Sequence, residues 1–282
     1  MIKLAATVTF YNPDVETINN ISSYINNVEK LYIIDNSSFS NENIIPKNDK
    51  IIYICNYKNI GVAAALNLGA KLAISDGFKW LLTMDQDSFF SFDNLIKMIN
   101  YLNKVNNKDK IGLLSPFHVT KTGTLKSKKV VEDVIEVMTS GNIINLDAFI
   151  KIGGYKSWLF IDGVDFDFCM NLNIHGYKVR RLNFCNLIHE LGDIKLINFF
   201  GRKLVCSNHN YIRRYYMSRN DHYIFDLYSK YFPDYCQMII DGLKGQARNI
   251  LFFENNKFKK LVFMKYGFQD YKNNVRGECK WK

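Results

Sequence analysis

Long apolar runs are missing from this chain of 282 residues. No stretch approaches the ~20 consecutive apolar residues that a membrane-spanning helix needs. Met1 to Phe10 shows no basic segment followed by an apolar core and a cleavage site, so no secretory leader is expected. The cysteines Cys55, Cys169, Cys185, Cys206, Cys236 and Cys279 form no Cys-x-x-Cys pair. Together these absences predict free thiols in a reducing cytoplasm. Glycine-rich phosphate cradles are also absent: there is no Gly-x-Gly-x-x-Gly and no P-loop, which argues against dinucleotide binding or ATP hydrolysis by those routes. No helix-turn-helix, zinc or RNP-type signature occurs, so no nucleic acid is expected as a partner. There is no internal repeat and no low-complexity tract.

What is present supports a substantial core. Apolar residues make up 48% of the chain and aromatics 15%, which argues against disorder. The net charge is +10, and its placement is uneven. Residues 1–194 carry 20 basic and 20 acidic residues, whereas residues 195–282 carry 17 and 7. In the last third, basic residues alternate with aromatics, as in Tyr211-Ile212-Arg213-Arg214-Tyr215-Tyr216 and Phe258-Lys259-Lys260-Leu261-Val262-Phe263. Such a surface suits an anionic membrane, a pyrophosphate or a nucleic acid. The shift in charge sets a domain boundary near residue 194.

The first half alternates strand and helix signals. Strands are expected at Lys3 to Phe10, Leu31 to Ile34, Ile51 to Cys55 and Trp80 to Met84. Asn12 reads as an N-cap with Pro13 at the first helical position, and an Ala/Leu-rich helix runs from Gly61 to Ile74. This alternation implies a parallel sheet with right-handed crossovers. Further on, a helix from Phe92 to about Val105, a strand from Ile111 to Val119 and a turn at Lys121 to Thr124 are expected. A strand leads to Ser140-Gly141-Asn142, and a short helix starts at Asp147. A helix from Val164 to His175 and an extended run from Tyr177 to Ile188 follow. Beyond Gly192 the pattern reads as helical.

The most informative string is Thr83-Met84-Asp85-Gln86-Asp87-Ser88, two carboxylates directly after a buried strand. Ligands of open α/β sheets bind outside the carboxyl ends of strands. Two aspartates there fit a divalent cation shared with substrate phosphates, although a solvated turn would read the same way in isolation. Polar residues recur at the other strand ends: Tyr11-Asn12, Asp35-Asn36, and Asn59 with Gly61. A second acidic cluster, Asp162-Gly163-Val164-Asp165-Phe166-Asp167, straddles a loop-to-helix junction beside Trp158, Phe160 and Phe166. It fits either helix-dipole complementation or a general base with a desolvated carboxylate. His189 ends another extended run and is a candidate third metal ligand.

Ordered along the chain, several strings carry a resemblance. They are Thr9-Phe10-Tyr11-Asn12-Pro13, Ile34-Asp35-Asn36-Ser37-Ser38, Asn59-Ile60-Gly61 through Asn67, and Thr83 to Ser88. They continue with Gly153-Gly154-Tyr155, Phe160 to Asp165, His189-Glu190-Leu191-Gly192 and Arg214-Tyr215-Tyr216. Over residues 5 to about 220 the chain resembles an inverting family 2 glycosyltransferase of the GT-A fold, in its bacterial rhamnosyltransferase-like branch. The resemblance implies a Rossmann-like, mainly parallel α/β sheet over residues 1–194, followed by a helical, basic region over residues 195–282. It implies a nucleotide-sugar donor, favoured as dTDP-L-rhamnose, bound by Phe10, Tyr11, Asn12, Asp35, Asn36, Asn59, Gly61, Asn67, Asp85 and Gln86. Mg²⁺ or Mn²⁺ would be held by Asp85, Asp87 and His189. Asp162 or Asp165 would deprotonate the acceptor hydroxyl, with Asp162 favoured. The implied acceptor is lipid-diphosphate-linked or an oligosaccharide, used at the cytoplasmic face of the membrane in surface-polysaccharide (O-antigen or capsule) synthesis. Many relatives have Glu-Asp where this chain has Asp162-Gly163, and an arginine near Asn171. A different sugar donor is the nearest competitor. A sugar-phosphate nucleotidyltransferase is the next, and the lack of a glycine-rich, basic triphosphate loop counts against it.

Overall fold

The computed structural model describes residues 2–119, 128–189, 195–199 and 202–281. The turn expected at 121–124, the boundary near 194 and the string Glu190-Leu191-Gly192 lie outside the described residues. Contacts divide the chain into two compact units: residues 1–157 with 168–190, and residues 158–167 with 191–282. The acidic segment 158–167 thus groups with the C-terminal unit.

In chain order the first unit contains β1 (Leu4–Phe10), α1 (Val15–Ile21), β2 (Lys30–Asp35), β3 (Ile51–Cys55), α2 (Val62–Ser75) and β4 (Trp80–Asp85). It continues with β5 (Ser88–Phe90), α3 (Asn94–Lys104), β6 (Ile111–Val119), β7 (Val131–Asp133), β8 (Asn142–Asn145) and α4 (Leu146–Ile152). Helix α5 (Val164–Ile174), whose residues up to 167 belong to the second unit, and strand β9 (Lys178–His189) follow. One sheet has the order β3-β2-β1-β4-β8-β6-β9-β5, with β7 also paired to β9. The half made of β3, β2, β1 and β4 is parallel, as expected. The other half is mixed: β8 runs antiparallel to β4 and β6, β5 and β7 run antiparallel to β9, and β6 is parallel to β9.

The parallel strands are near-continuous apolar runs because both faces are covered. Leu4, Ala6, Val8, Leu31, Ile33, Leu82 and Met84 are buried in one cluster with Leu95, Met98 and Leu102 of α3. Helix α2 sits against β1 through small residues, and a Cβ on Gly69 would lie 2.1 Å from Thr7 Oγ1. Parallel pairing aligns the strand ends: Phe10 lies opposite Asp35, Asp35 opposite Cys55, and Thr9 opposite Asp85. The polar residues that follow these strands therefore share one rim.

Three local expectations are corrected. Asn12 is not the N-cap of α1. It has φ +48° and its N–H donates to Ser37 Oγ. Asp14 is the cap, forming a reciprocal box with Thr17. Between Met84 and the helix expected from Phe92 no strand is expected, yet Ser88 begins β5, opposite His189. Residues after 194 are not wholly helical, because β10 (Lys195–Phe199) and β11 (Arg202–Cys206) form an antiparallel pair. The two residues Phe200-Gly201 between two short apolar-rich runs were the available hairpin signal.

The rest of the second unit is helical: α6 (Tyr211–Tyr228), α7 (Pro233–Phe253) and α8 (Lys257–Lys272). Tyr215, Tyr216 and Phe263 form its aromatic core, joined by Phe160, Tyr266 and Trp281. Gly267 permits the close approach of α8 to α6, since a Cβ there would meet the Tyr215 carbonyl at 2.3 Å. No disulfide joins the six cysteines, all of which lie among the described residues. No helix among the described residues is long and apolar enough to cross a membrane.

Candidate active site

At the carboxyl rim of the first unit, Asp85, Asp87 and His189 each offer a ligand atom, all within 4.8 Å of one another. Asp85 ends β4, Asp87 lies in the two-residue step to β5, and His189 is carried by β9. The antiparallel register sets Ser88 directly opposite His189. Ser88 is fully buried, and its hydroxyl contacts His189 Nδ1 and lies 3.5 Å from Asp87 Oδ1. His189 Nδ1 is itself 3.6 Å from Asp87 Oδ1. The Asp85 N–H donates to Ser140 Oγ at 3.0 Å, and the Ser140 carbonyl contacts the buried His118 Nε2 at 2.7 Å. Burial pushes the His118 imidazole down to about 4, so it stays neutral. Two carboxylates and one imidazole form a donor set that fits Mn²⁺ or Mg²⁺. Asp87 is exposed, which leaves the site open to a ligand.

The loops around this cluster are tied to one another. Gln86 Oε1 accepts the Tyr11 N–H at 2.7 Å, and its Nε2 donates to the Tyr11 carbonyl at 3.3 Å. Asn20 donates to the Gln86 carbonyl. A cavity of about 440 Å³ opens beside Asp87, lined by Asp14, Asn20, Gln86 and Phe89 among others. A larger one of about 500 Å³ lies at Lys3, Lys79 and Trp80, at the amino ends of β1 and β4, and is therefore on the wrong rim for the strand-end site.

The expected nucleoside-binding residues divide by exposure. Tyr11 and Asn59 are exposed at the rim. Phe10 is buried, in the core. Asp35 is fully buried, and its carboxylate accepts from the Ser37 N–H, Asn41 Nδ2 and the Tyr53 hydroxyl at 2.7–2.8 Å. Burial alone would raise its pKa, but these hydrogen bonds outweigh burial and hold it below the ordinary carboxylate range. Asn36 donates to the Gly61 carbonyl and accepts from Asn56, while Asn59 Oδ1 accepts the Gly61 N–H at 2.9 Å. Gly61, at φ +84°, caps α2. Asn67 points elsewhere: it bonds the backbone N–H and carbonyl of Tyr155 and the Ser157 hydroxyl. Asn67 therefore holds the Gly154-Tyr155 turn, not the rim.

In the second unit, the acidic loop is strained and clamped. Phe160, Asp162 and Gly163 have φ of +68°, +61° and +74°, a conformation that costs energy for the two non-glycine residues. Helix α6 holds it there. Asn220 Nδ2 lies 2.8–2.9 Å from the carbonyls of Leu159, Ile161 and Asp162. Buried Arg219 reaches the carbonyls of Trp158, Leu159 and Gly277. Arg213 grips the Asp162 carboxylate with Nε at 2.9 Å and with Nη2. Asp165 sits in the first turn of α5, half-buried, with Oδ1 accepting the Phe166 N–H at 3.0 Å. Asp167 is buried and bonded to the Tyr228 hydroxyl at 2.6 Å.

Sequence reasoning missed Ser88, Arg213, Arg219, Asn220 and Asp221. The signal was adjacent, since Arg219-Asn220-Asp221 follows Arg214-Tyr215-Tyr216 by one helical turn. Asp221 is buried, and loss of water followed by the charges of Asp162 and Asp165 raises its pKa well above the ordinary range. A raised folded-state pKa contributes stability below the unfolded pKa, and that contribution is lost as pH climbs through the folded value. Asp221→Asn removes the loss. Thermal melts of the variant should run a few degrees above the parent at pH 8, with the gap closing toward pH 4. A variant that melts at or below the parent at pH 8 would show that the charged Asp221 is well accommodated.

Residues 9–117 match the glycosyl transferase family 2 description. The chain is 26% identical over 243 residues to the dTDP-rhamnosyl transferase RfbF of Shigella flexneri, covering 76% of this chain and 77% of that protein. In three dimensions it is similar to GalNAc-T7, solved with UDP, GalNAc and Mn²⁺, at a TM-score of 0.61 and 14% identity over 98% of this chain. The chain spans 56% of the length of that structure, and the likeness shows the fold. A mixed sheet flanked by helices and strand-end carboxylates accompany these likenesses: the chain carries a family 2 glycosyl transferase segment at residues 9–117 and has a fold similar to that of GT-A glycosyltransferases.

Proposed function

We propose that the chain transfers L-rhamnose from dTDP-L-rhamnose, with inversion at the anomeric carbon. The acceptor is a lipid-diphosphate-linked sugar or an oligosaccharide of a bacterial surface polysaccharide, used at the inner face of the cell membrane. The observation that carries the reading is the convergence of Asp85, Asp87 and His189 at the rim of the parallel strands. The likeness to the rhamnosyl transferase of Shigella flexneri supports the choice of sugar and nucleotide.

Each group then has a chemical task. Asp85, Asp87 and His189 would hold Mg²⁺ or Mn²⁺, which would supply positive charge to stabilise the departing diphosphate. Tyr11 and Asn59 at the rim, with Gly61, face the nucleoside. Phe10, Asp35, Asn36 and Gln86 shape the loops that present them, and Asn67 braces a neighbouring turn. The acceptor hydroxyl attacks the anomeric carbon and gives its proton to a carboxylate of the acidic loop. Bidentate pairing with Arg213 holds the Asp162 carboxylate in the loop. In this reading Asp165, in the first turn of α5, takes the proton, and Asp162, held by Arg213, anchors the loop.

The test is a ligand panel read by thermal shift with and without Mn²⁺, followed by product analysis. dTDP-L-rhamnose should stabilise the protein more than UDP-sugars, GDP-sugars or nucleoside triphosphates, and only with the metal. Stronger stabilisation by another sugar nucleotide replaces the donor. Pyrophosphate release from a nucleoside triphosphate and a sugar phosphate would replace the reaction with nucleotidyl transfer.

A further inference from the structure

The corner between α7 and α8 exposes large apolar side chains. Leu251 and Phe252 in the last turn of α7 are 51% and 64% exposed, and Phe258 in the first turn of α8 is 83% exposed. Only Glu254, Asn255 and Asn256 separate the helices, so the three apolar residues flank one tight connection. Asn256 takes φ +52° at that turn. Exposed apolar residues concentrated in this way mark an interaction site more often than chance.

The charge around the corner is of one sign. From residue 242 to 269 the basic residues are Lys244, Arg248, Lys257, Lys259, Lys260 and Lys265, and the lone acidic residue is Glu254. Glu254 presents no charge outward. It is buried and accepts from Arg214 at 2.6 Å and Lys260 at 2.9 Å. Arg248, Lys257 and Lys259 are exposed beside the apolar residues, with the Lys259 ammonium 3.8 Å from the Tyr211 ring centre. The acidic residues of α7, Asp234 and Asp241, lie in its first half, away from the corner in sequence.

We infer that the α7–α8 corner is a membrane-docking tip, with Leu251, Phe252 and Phe258 entering the headgroup region of an anionic bilayer and Arg248, Lys257 and Lys259 meeting the lipid charge. An aromatic and aliphatic cluster in a purely cationic surround is the chemistry of interfacial binding, in which apolar insertion and attraction to acidic lipids act together. A soluble acidic protein would satisfy the cations but would leave two exposed phenylalanines without an apolar phase. The inference rests on the proposed membrane-side acceptor for its biological purpose, but lipid binding can be measured with no donor or acceptor present.

The experiment floats the full chain with vesicles of phosphatidylcholine, alone or mixed with phosphatidylglycerol. The parent should float with the anionic vesicles and release at high salt, as screening weakens the cationic contribution. Phe252→Ser with Phe258→Ser should lower anionic-vesicle binding at least about tenfold. Arg248→Glu with Lys257→Glu should do the same. Lys108→Glu with Lys110→Glu, a half-buried and an exposed lysine of the first unit, should bind as the parent does. Circular dichroism and the donor-induced thermal shift should be unchanged in all variants, which separates failure here from failure of the transferase reading. Equal flotation with neutral and anionic vesicles, or none with either, overturns the inference. So does loss of binding in the Lys108/Lys110 variant but not at the corner. Dimerisation without lipid that disappears in the Phe252/Phe258 variant would assign the corner to a second copy of the chain instead.

Discussion

Asp87→Ala should abolish sugar transfer and the Mn²⁺-dependent part of nucleoside-diphosphate binding. Asp87 is the exposed member of the Asp85–Asp87–His189 cluster, so it meets an incoming ligand at little desolvation cost. Losing one charged ligand removes several kcal/mol of stabilisation from the departing diphosphate, a fall of about 10³-fold or more in turnover. Two measurements check it. Calorimetry with Mn²⁺ and the nucleoside diphosphate should show the metal-dependent affinity collapse, and excess chelator should silence the parent enzyme. Ser88→Ala is the graded control. Its hydroxyl touches both His189 and Asp87, and removing such a supporting partner weakens metal affinity by about 10–100-fold. Near-normal turnover and metal dependence in Asp87→Ala, or full activity in chelator, would remove the metal from the reaction.

The parallel half of the sheet was readable because its strands are unbroken apolar runs that end in polar residues. Ile51–Cys55 of that half, and Ile111–Val119 of the mixed half, match residue for residue. The aspartate pair and His189 were readable as types, although they are far apart in the chain, because each ends an extended run. What failed was local or distant in a specific way. Strand β5 has only three residues, too few for a period to register, and its existence depends on pairing with His189, 101 residues away from Ser88. Asn12 and Asp14 are both good caps, and only the contact of Asn12 with Ser37 decides between them. Asp35 looked like a ligand-facing carboxylate because nothing in sequence announces that Asn41 and Tyr53 occupy it.

The acidic loop shows the same limit in a form that matters for chemistry. A pattern of three aspartates beside aromatics indicates candidates but not what engages each carboxylate. That depends on α6, some 50 residues later, where Arg213 takes Asp162 and Asn220 takes the carbonyls around it. The strained φ values at Phe160 and Asp162 persist because these bonds hold them. An over-determined loop of this kind is what a site needs when one side chain must be fixed within a fraction of an ångström.

Asp165→Asn should therefore be the inactive variant. The amide keeps the size of the side chain but cannot take the acceptor proton, so turnover should fall by about 10²-fold or more, the range that general-base catalysis supplies. Donor affinity should change little. Asp162→Asn should lose less, and the loss should follow loop order: it weakens the bidentate pair with Arg213 but leaves the three carbonyl contacts of Asn220. Arg213→Met tests this directly. If Asp162 is an anchor, the Asp162→Asn and Arg213→Met variants should lose similar activity, and the double variant should lose little more than either, as residues acting as one unit do. Both single variants should keep the parent's pH–rate profile, because the titrating base is still present. Asp165→Asn should lose the acidic limb of that profile. An inactive Asp162→Asn beside an active Asp165→Asn would move the base to Asp162 and require the Arg213 pair to open in the reacting complex. Retention of activity by both would make the cluster structural and place the base on another residue.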